Sequence, residues 1–101
     1  MPLPISFKNK LTLPVVAAPM FLVSGTEIVV ACCKAGIVGT FPALNQRSSK
    51  GLEKWLKIIN ENLTDKDAPY GVNLIVHKTN PRVQPDLDIC VKFKVPLIIT
   101  S

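Results

Sequence analysis

Most side chains here that could do chemistry are neutral, and they cluster at the ends of short apolar runs. Met20 and Phe21 follow Val15-Val-Ala-Ala-Pro19; Thr40 and Phe41 close a second run, Ile37 to Phe41. Asn73 closes a third, with His77 just beyond it, and Thr100 and Ser101 follow a fourth. An apolar surface with a few amides and hydroxyls suits a flat, uncharged ring system whose edge needs hydrogen bonds. Each residue also has a plainer role. Met20 is good core filler, and an Asn side chain readily ties down a turn. His77 has no Ser, Cys or Asp partner at a telling spacing and reads as a solvent-facing loop residue. Lys78 and Arg82 could meet an anion, but read as a solvated pair.

Other chemistries find little support. The three cysteines, Cys32, Cys33 and Cys90, are odd in number and lack metal-ligand spacing. They read as buried cytosolic thiols. Gly36-Ile-Val-Gly39 opens an apolar run where a dinucleotide fingerprint would follow one, and there is no Walker loop. The formal net charge is +5, yet acids interrupt the basic residues and no aromatic stripe runs among them. That pattern argues against nucleic acid. Leu11 to Val23 is nearly all apolar, but Pro14 and Pro19 break it and it is too short to span a bilayer. We therefore expect no metal, no nucleic acid, no membrane and a cytoplasmic location.

Positioning those residues requires regular elements. Pro2 and Pro4 restrict a lead-in that Lys8 and Lys10 keep wet. The continuous apolarity of Leu13 to Ala18 predicts a strand covered on both faces, ended by Pro19. Ser24-Gly-Thr-Glu27 is a capping-box pattern, which predicts a helix over Ile28 to Ala35 with Gly36 as its C-terminal cap. A second strand, Ile37 to Phe41, ends before Pro42. A polar loop, Asn45 to Ser49, leads to the clearest helix, whose Leu52, Trp55, Leu56, Ile59 and Leu63 make one stripe. Tyr70 to Val76 is a third strand. Pro85, Asp86 and Asp88 suit the start of a third helix, and Lys92 and Lys94 its last turn. Leu97 to Ile99 is a fourth strand. The order β-α-β-α-β-α-β implies a parallel sheet with right-handed crossovers. At 101 residues and 48% hydrophobic, the chain is globular in composition and shows no domain boundary.

Three motifs carry a resemblance. Ala18-Pro-Met20 after an apolar strand, Ala35-Gly-Ile-Val-Gly-Thr40 opening the second, and Tyr70-Gly-Val-Asn-Leu74 in the third resemble the nitronate monooxygenase family, formerly 2-nitropropane dioxygenase. That resemblance spans residues 11 to 101 and implies an α/β fold: the N-terminal part, about four βα strands, of an FMN-binding TIM (β/α)8 barrel. It implies that Pro19, Met20 and Phe21 line the flavin ring and that Asn73 bonds its polar edge. Thr100 and Ser101 match the loop after strand four only loosely. It places the catalytic histidine and the phosphate loops in the second half of the barrel, so no catalytic residue is assigned here and His77 does not take that role. The family often has Gln at the position of Ala17 and small residues where Phe21-Leu-Val23 stand. A barrel needs about 250 residues, so residues 1–101 are expected to be its N-terminal part, with the remainder as partner.

The implied activity is oxidation of alkyl nitronates by O2 through FMN, with a small-molecule substrate and homo-oligomerisation open. An FMN-dependent enoyl-acyl-carrier-protein reductase shares the early motifs and is the alternative. A non-catalytic α/β interaction module, binding an acidic partner through a basic face, is the reading from a different class.

Overall fold

The computed structural model describes residues 3–5 and 7–101; Pro2, part of the expected lead-in, lies outside them. Four strands alternate with three helices: β1 (Val16–Ala17), α1 (Thr26–Lys34), β2 (Val38–Pro42), α2 (Ser49–Asn62), β3 (Tyr70–Leu74), α3 (Val83–Lys92) and β4 (Leu97–Thr100). The strands are parallel and their spatial order is their chain order, β1-β2-β3-β4. Each crossover therefore advances one strand in the same direction, and the helices collect on one face.

The core lies between that face and the helices. Phe41, Val72, Tyr70 and Leu74 of the sheet pack with Val29 and Cys33 of α1, Leu52, Leu56 and Ile59 of α2, and Cys90 of α3. The α2 stripe forms as its spacing predicts through Ile59; Leu63 lies past the helix end in an extended conformation but still packs against the core. The helix N-cap, Ser48, accepts a hydrogen bond from the Gly51 N–H at 3.0 Å, which stabilises the first turn. Trp55 is half-buried and meets the Phe41 ring edge-on, with centroids 5.4 Å apart.

Side chains alternate across a strand, so the register sorts the sheet's two faces. Phe41, Val72 and Ile98 are mates and look toward the helices. Val16 with Val38, Thr40 with Gly71, Pro42 with Asn73, and Asn73 with Ile99 share the opposite face. No described helix covers that face. Phe7 and Val38 are buried too, but stand outside the helix-side core.

Several expectations need correction. β1 is two residues long rather than Leu13 to Ala18, and Val16 is 47% exposed. It pairs with β2 alone, and Pro14 and Pro19 bracket it. The Ser24 capping box does not form: Gly25 is the N-cap of α1, with no side-chain bond. β2 includes Pro42, and β3 stops at Leu74. α3 ends at Lys92, because Lys94 turns left-handed at φ +54° and falls outside the last turn. Gly36 follows α1 at φ +92°, a conformation that glycine adopts without a Cβ penalty, and its N–H bonds the Cys33 carbonyl at 3.1 Å.

Candidate functional site

The carboxyl ends of parallel strands open onto the connecting loops, and ligands of such sheets bind beyond that edge. Four segments meet there: residues 18–25 after β1, 43–48 after β2, 75–82 after β3, and Ser101 after β4.

The first segment holds the expected ring-lining residues. Its Met20–Ser24 stretch closes on itself, the Met20 carbonyl accepting the Val23 N–H at 3.2 Å and the Ser24 N–H at 2.9 Å. Ser24 is buried because its hydroxyl serves this turn, accepting the Met20 N–H at 2.9 Å. That is why it does not cap α1. Pro19 is half-buried, whereas Met20 and Phe21 are exposed, Phe21 by 61%. The turn thus presents an apolar surface beside the strand ends.

Asn73 is half-buried on the face that no helix covers. Its Oδ1 accepts the Ser101 hydroxyl at 3.2 Å, and its amide N–H donors have no partner among the described residues. Main-chain bonds fix Ser101 beside it: its N–H reaches the Leu74 carbonyl at 3.1 Å, and its carbonyl accepts the Val76 N–H at 2.8 Å. Thr100 is exposed. His77 is exposed as well; its Nδ1 lies 2.7 Å from Thr79 Oγ1 and takes the Thr79 N–H at 3.2 Å. The ring closes a local turn.

Two residues of β2 are drawn away from the edge. Phe41 is buried on the helix side against Trp55, so it cannot face a ligand beyond the strands. Thr40 is buried too, and its hydroxyl donates to the Ala17 carbonyl, stitching β2 to the short β1.

Arg82 overturns the expectation of a solvated cation. Its side chain is 18% exposed, ion-paired with Asp86 at 3.0 Å, and donates to the Ala43 carbonyl at 3.2 Å and to the Gln46 carbonyl. Asp86 is 1% exposed and also accepts the Ser49 hydroxyl at 2.7 Å. This cluster ties α3 to the start of α2 and to the turn Ala43–Asn45. Asn45 in that turn contacts the Met20–Ser24 segment. Sequence reasoning passed Asn45 over as part of a polar connection. The signal was present: it is a neutral amide just beyond the carboxyl end of β2, much as Asn73 is a neutral amide next to the carboxyl end of β3.

The perturbed ionisable groups lie elsewhere. Burial pushes the Cys33 thiol up, the Gly39 N–H opposing, and pushes Cys90 up to about 11. Tyr70 is pushed up to about 12, chiefly by burial, while its hydroxyl donates to Asn60 Oδ1 at 2.9 Å. All three belong to the helix-side core. None of the cysteines is disulfide-bonded, and no metal-binding group of His, Cys, Asp or Glu occurs among the described residues. No helix among them is long and apolar enough to cross a membrane. The described residues of the edge thus offer apolar contact from Met20 and Phe21 and neutral hydrogen bonds from Asn73 and Ser101.

Two solved structures share this arrangement. FabK from Thermotoga maritima matches with a TM-score of 0.78 at 20% identity, over 94% of this chain and 28% of that one. A single-residue mutant of the same protein matches with 0.77 at 20% identity, over 95% and 30%. The chain has the fold of the N-terminal part of a (β/α)8 barrel. It spans less than a third of the length of those structures. No family model and no curated protein matches it.

Proposed function

We propose that this chain supplies the cofactor-facing edge of an FMN-dependent oxidoreductase, as the first four strands of a barrel whose other strands complete the site. The observation that carries this reading is the pairing of an apolar turn with an unpartnered amide. The Met20–Phe21 turn follows β1, and Asn73 lies next to the end of β3, two strands that stand two spacings or about 10 Å apart. That separation suits a flat three-ring system lying across the strand ends, its apolar part on the turn and its polar edge at Asn73. Bound FMN would supply the electron transfer.

The chain's own residues bind and orient. Pro19, Met20 and Phe21 form a wall that excludes water from one end of the ring. Ser101 holds Asn73 Oδ1, which leaves the amide N–H groups free to donate to the ring's polar edge. The catalytic base and the phosphate-binding loops belong to the remainder of the barrel.

Within this reading the first choice is nitronate oxidation with O2, supported by the three motifs around Met20, Gly39 and Asn73. The second is an FMN-dependent enoyl-acyl-carrier-protein reductase, supported by the likeness to FabK. The two differ in what reduces the flavin. The complete protein should be purified, assayed for flavin absorbance, and mixed without oxygen with an alkyl nitronate or a reduced nicotinamide. Bleaching by the nitronate supports the first. Bleaching by the nicotinamide, with recovery on adding an enoyl thioester, supports the second. A colourless protein that takes up no FMN overturns both and leaves the non-catalytic interaction module.

A further inference from the structure

Asn45 makes three hydrogen bonds to one segment more than twenty residues earlier in the chain. Its Oδ1 accepts the Leu22 N–H at 2.8 Å, while Nδ2 donates to the Met20 carbonyl at 3.1 Å and the Ser24 carbonyl at 2.8 Å. Both amide donors are thus engaged, together with one acceptor site. The segment so held is strained. Leu22 sits at φ +66°, a left-handed conformation that a leucine keeps only where its surroundings impose it. Leu22 is 79% exposed, so packing does not impose it; the turn's own bonds to the Met20 carbonyl and the hydrogen bond from the Leu22 N–H to Asn45 do. Asn45 is anchored in turn. The Arg82 guanidinium grips the carbonyls of Ala43 and Gln46 on either side of it and pairs with Asp86, whose carboxylate also accepts the Ser49 hydroxyl.

We infer that Asn45 is the positioning residue of the ring-binding turn: it holds Met20–Ser24 in the conformation that presents Met20 and Phe21 to the flavin. This rests on the FMN reading above. Asn45 acts through the turn it braces, while Asn73 contacts the ring itself. A turn already held in its bound shape loses less freedom when the ring arrives, so the brace raises affinity by preorganisation.

The test uses the complete, FMN-loaded protein. Asn45→Ala removes all three bonds. Asn45→Asp keeps an acceptor for Leu22 but sets a carboxylate against the Met20 and Ser24 carbonyls. Both should raise the FMN dissociation constant about three- to ten-fold, the scale for losing hydrogen bonds that keep some contact with water. They should also shift the bound flavin's visible band toward that of free FMN. Thr64→Ala, which removes loop hydrogen bonds formed within Thr64–Asp67, away from the strands' carboxyl ends, should leave both readouts unchanged. Glycine adopts a positive φ without strain, so the loss on Asn45→Ala should be smaller in a Leu22→Gly background. In the FMN-free parent, the Leu22 amide should exchange slowly with solvent.

Three results would overturn the assignment on its own: a parent that binds FMN as tightly as its Asn45 variants, effects of Asn45→Ala and Leu22→Gly that simply add, or fast exchange at Leu22. A parent that takes up no FMN overturns the FMN reading itself, and this assignment with it.

Discussion

At Gly39 a Cβ would lie 2.6 Å from the Val29 carbonyl oxygen and 2.9 Å from its Cα. Both atoms are α1 backbone, so neither can swing aside, and α1 can rest on β2 only because residue 39 has no side chain. Gly39→Ala should cost about 1–3 kcal/mol, the usual range for overpacking, read as a lower denaturant midpoint at unchanged slope. The Gly36-Gly39 pair was legible in the sequence as lying in the wrong context for phosphate; the structure gives each glycine a packing or capping role instead. On the proposed FMN reading, Asn73→Ala in the complete protein should weaken FMN binding about 5- to 150-fold, from about 1–3 kcal/mol for an unpaired flavin group. His77→Ala should leave flavin content and turnover within a few-fold of the parent. Turnover abolished by His77→Ala, with flavin retained in Asn73→Ala, would reverse these roles. Asn73 was readable because it is the one polar side chain in the apolar run Tyr70 to Val76 apart from the Tyr70 hydroxyl. Asn45 and Arg82 were not, since carbonyls 21 to 39 residues away give them their roles and no local pattern records such contacts.

Elements were more legible than the contacts between them. The α2 stripe has the helical period over three turns, and Leu52, Leu56 and Ile59 are all buried as that period requires. Trp55 is only half-buried, so Trp55→Ala should cost about 3 kcal/mol, the low end for truncating a large aromatic. A loss below about 1 kcal/mol would mean that its edge contact with Phe41 contributes little. β1 was overestimated because continuous apolarity says nothing about how many partners a strand has. Asp86 was read as a dipole partner for α3, yet it is buried against Arg82 and Ser49. Arg82→Ala would strand that carboxylate without its cation. We expect a loss of about 3 kcal/mol, the low end for breaking a buried pair, because Arg82 keeps some contact with water. Equilibrium unfolding of the variant measures it.

At the scale of the whole molecule, the helix-side core dictates how stability responds to alkali. Cys90 rises from 9.0 to about 11 and Tyr70 from 10.0 to about 12, so the folded chain holds protons that the unfolded chain releases. Their contribution is complete below pH 9.0 and is lost as pH climbs through 11 and 12. The thermal midpoint should therefore fall above pH 9.0, and less steeply in Cys90→Ala. The opposite face of the sheet makes a second demand. Val16 is 47% exposed, and Leu97 and Ile99 are only half-buried on a face that no described helix covers. β1 and β4 each pair on one side alone, so both sheet edges carry unpaired backbone groups. Closing the barrel would cover the face and join the edges at once, since a closed sheet has none. On the proposed reading, residues 1–101 expressed alone should precipitate or sediment as dimers or larger species through those edges, and should become monodisperse when co-expressed with strands that would close the barrel. A monomer in sedimentation with a sharp thermal transition and no companion would show that the helix-side core alone suffices.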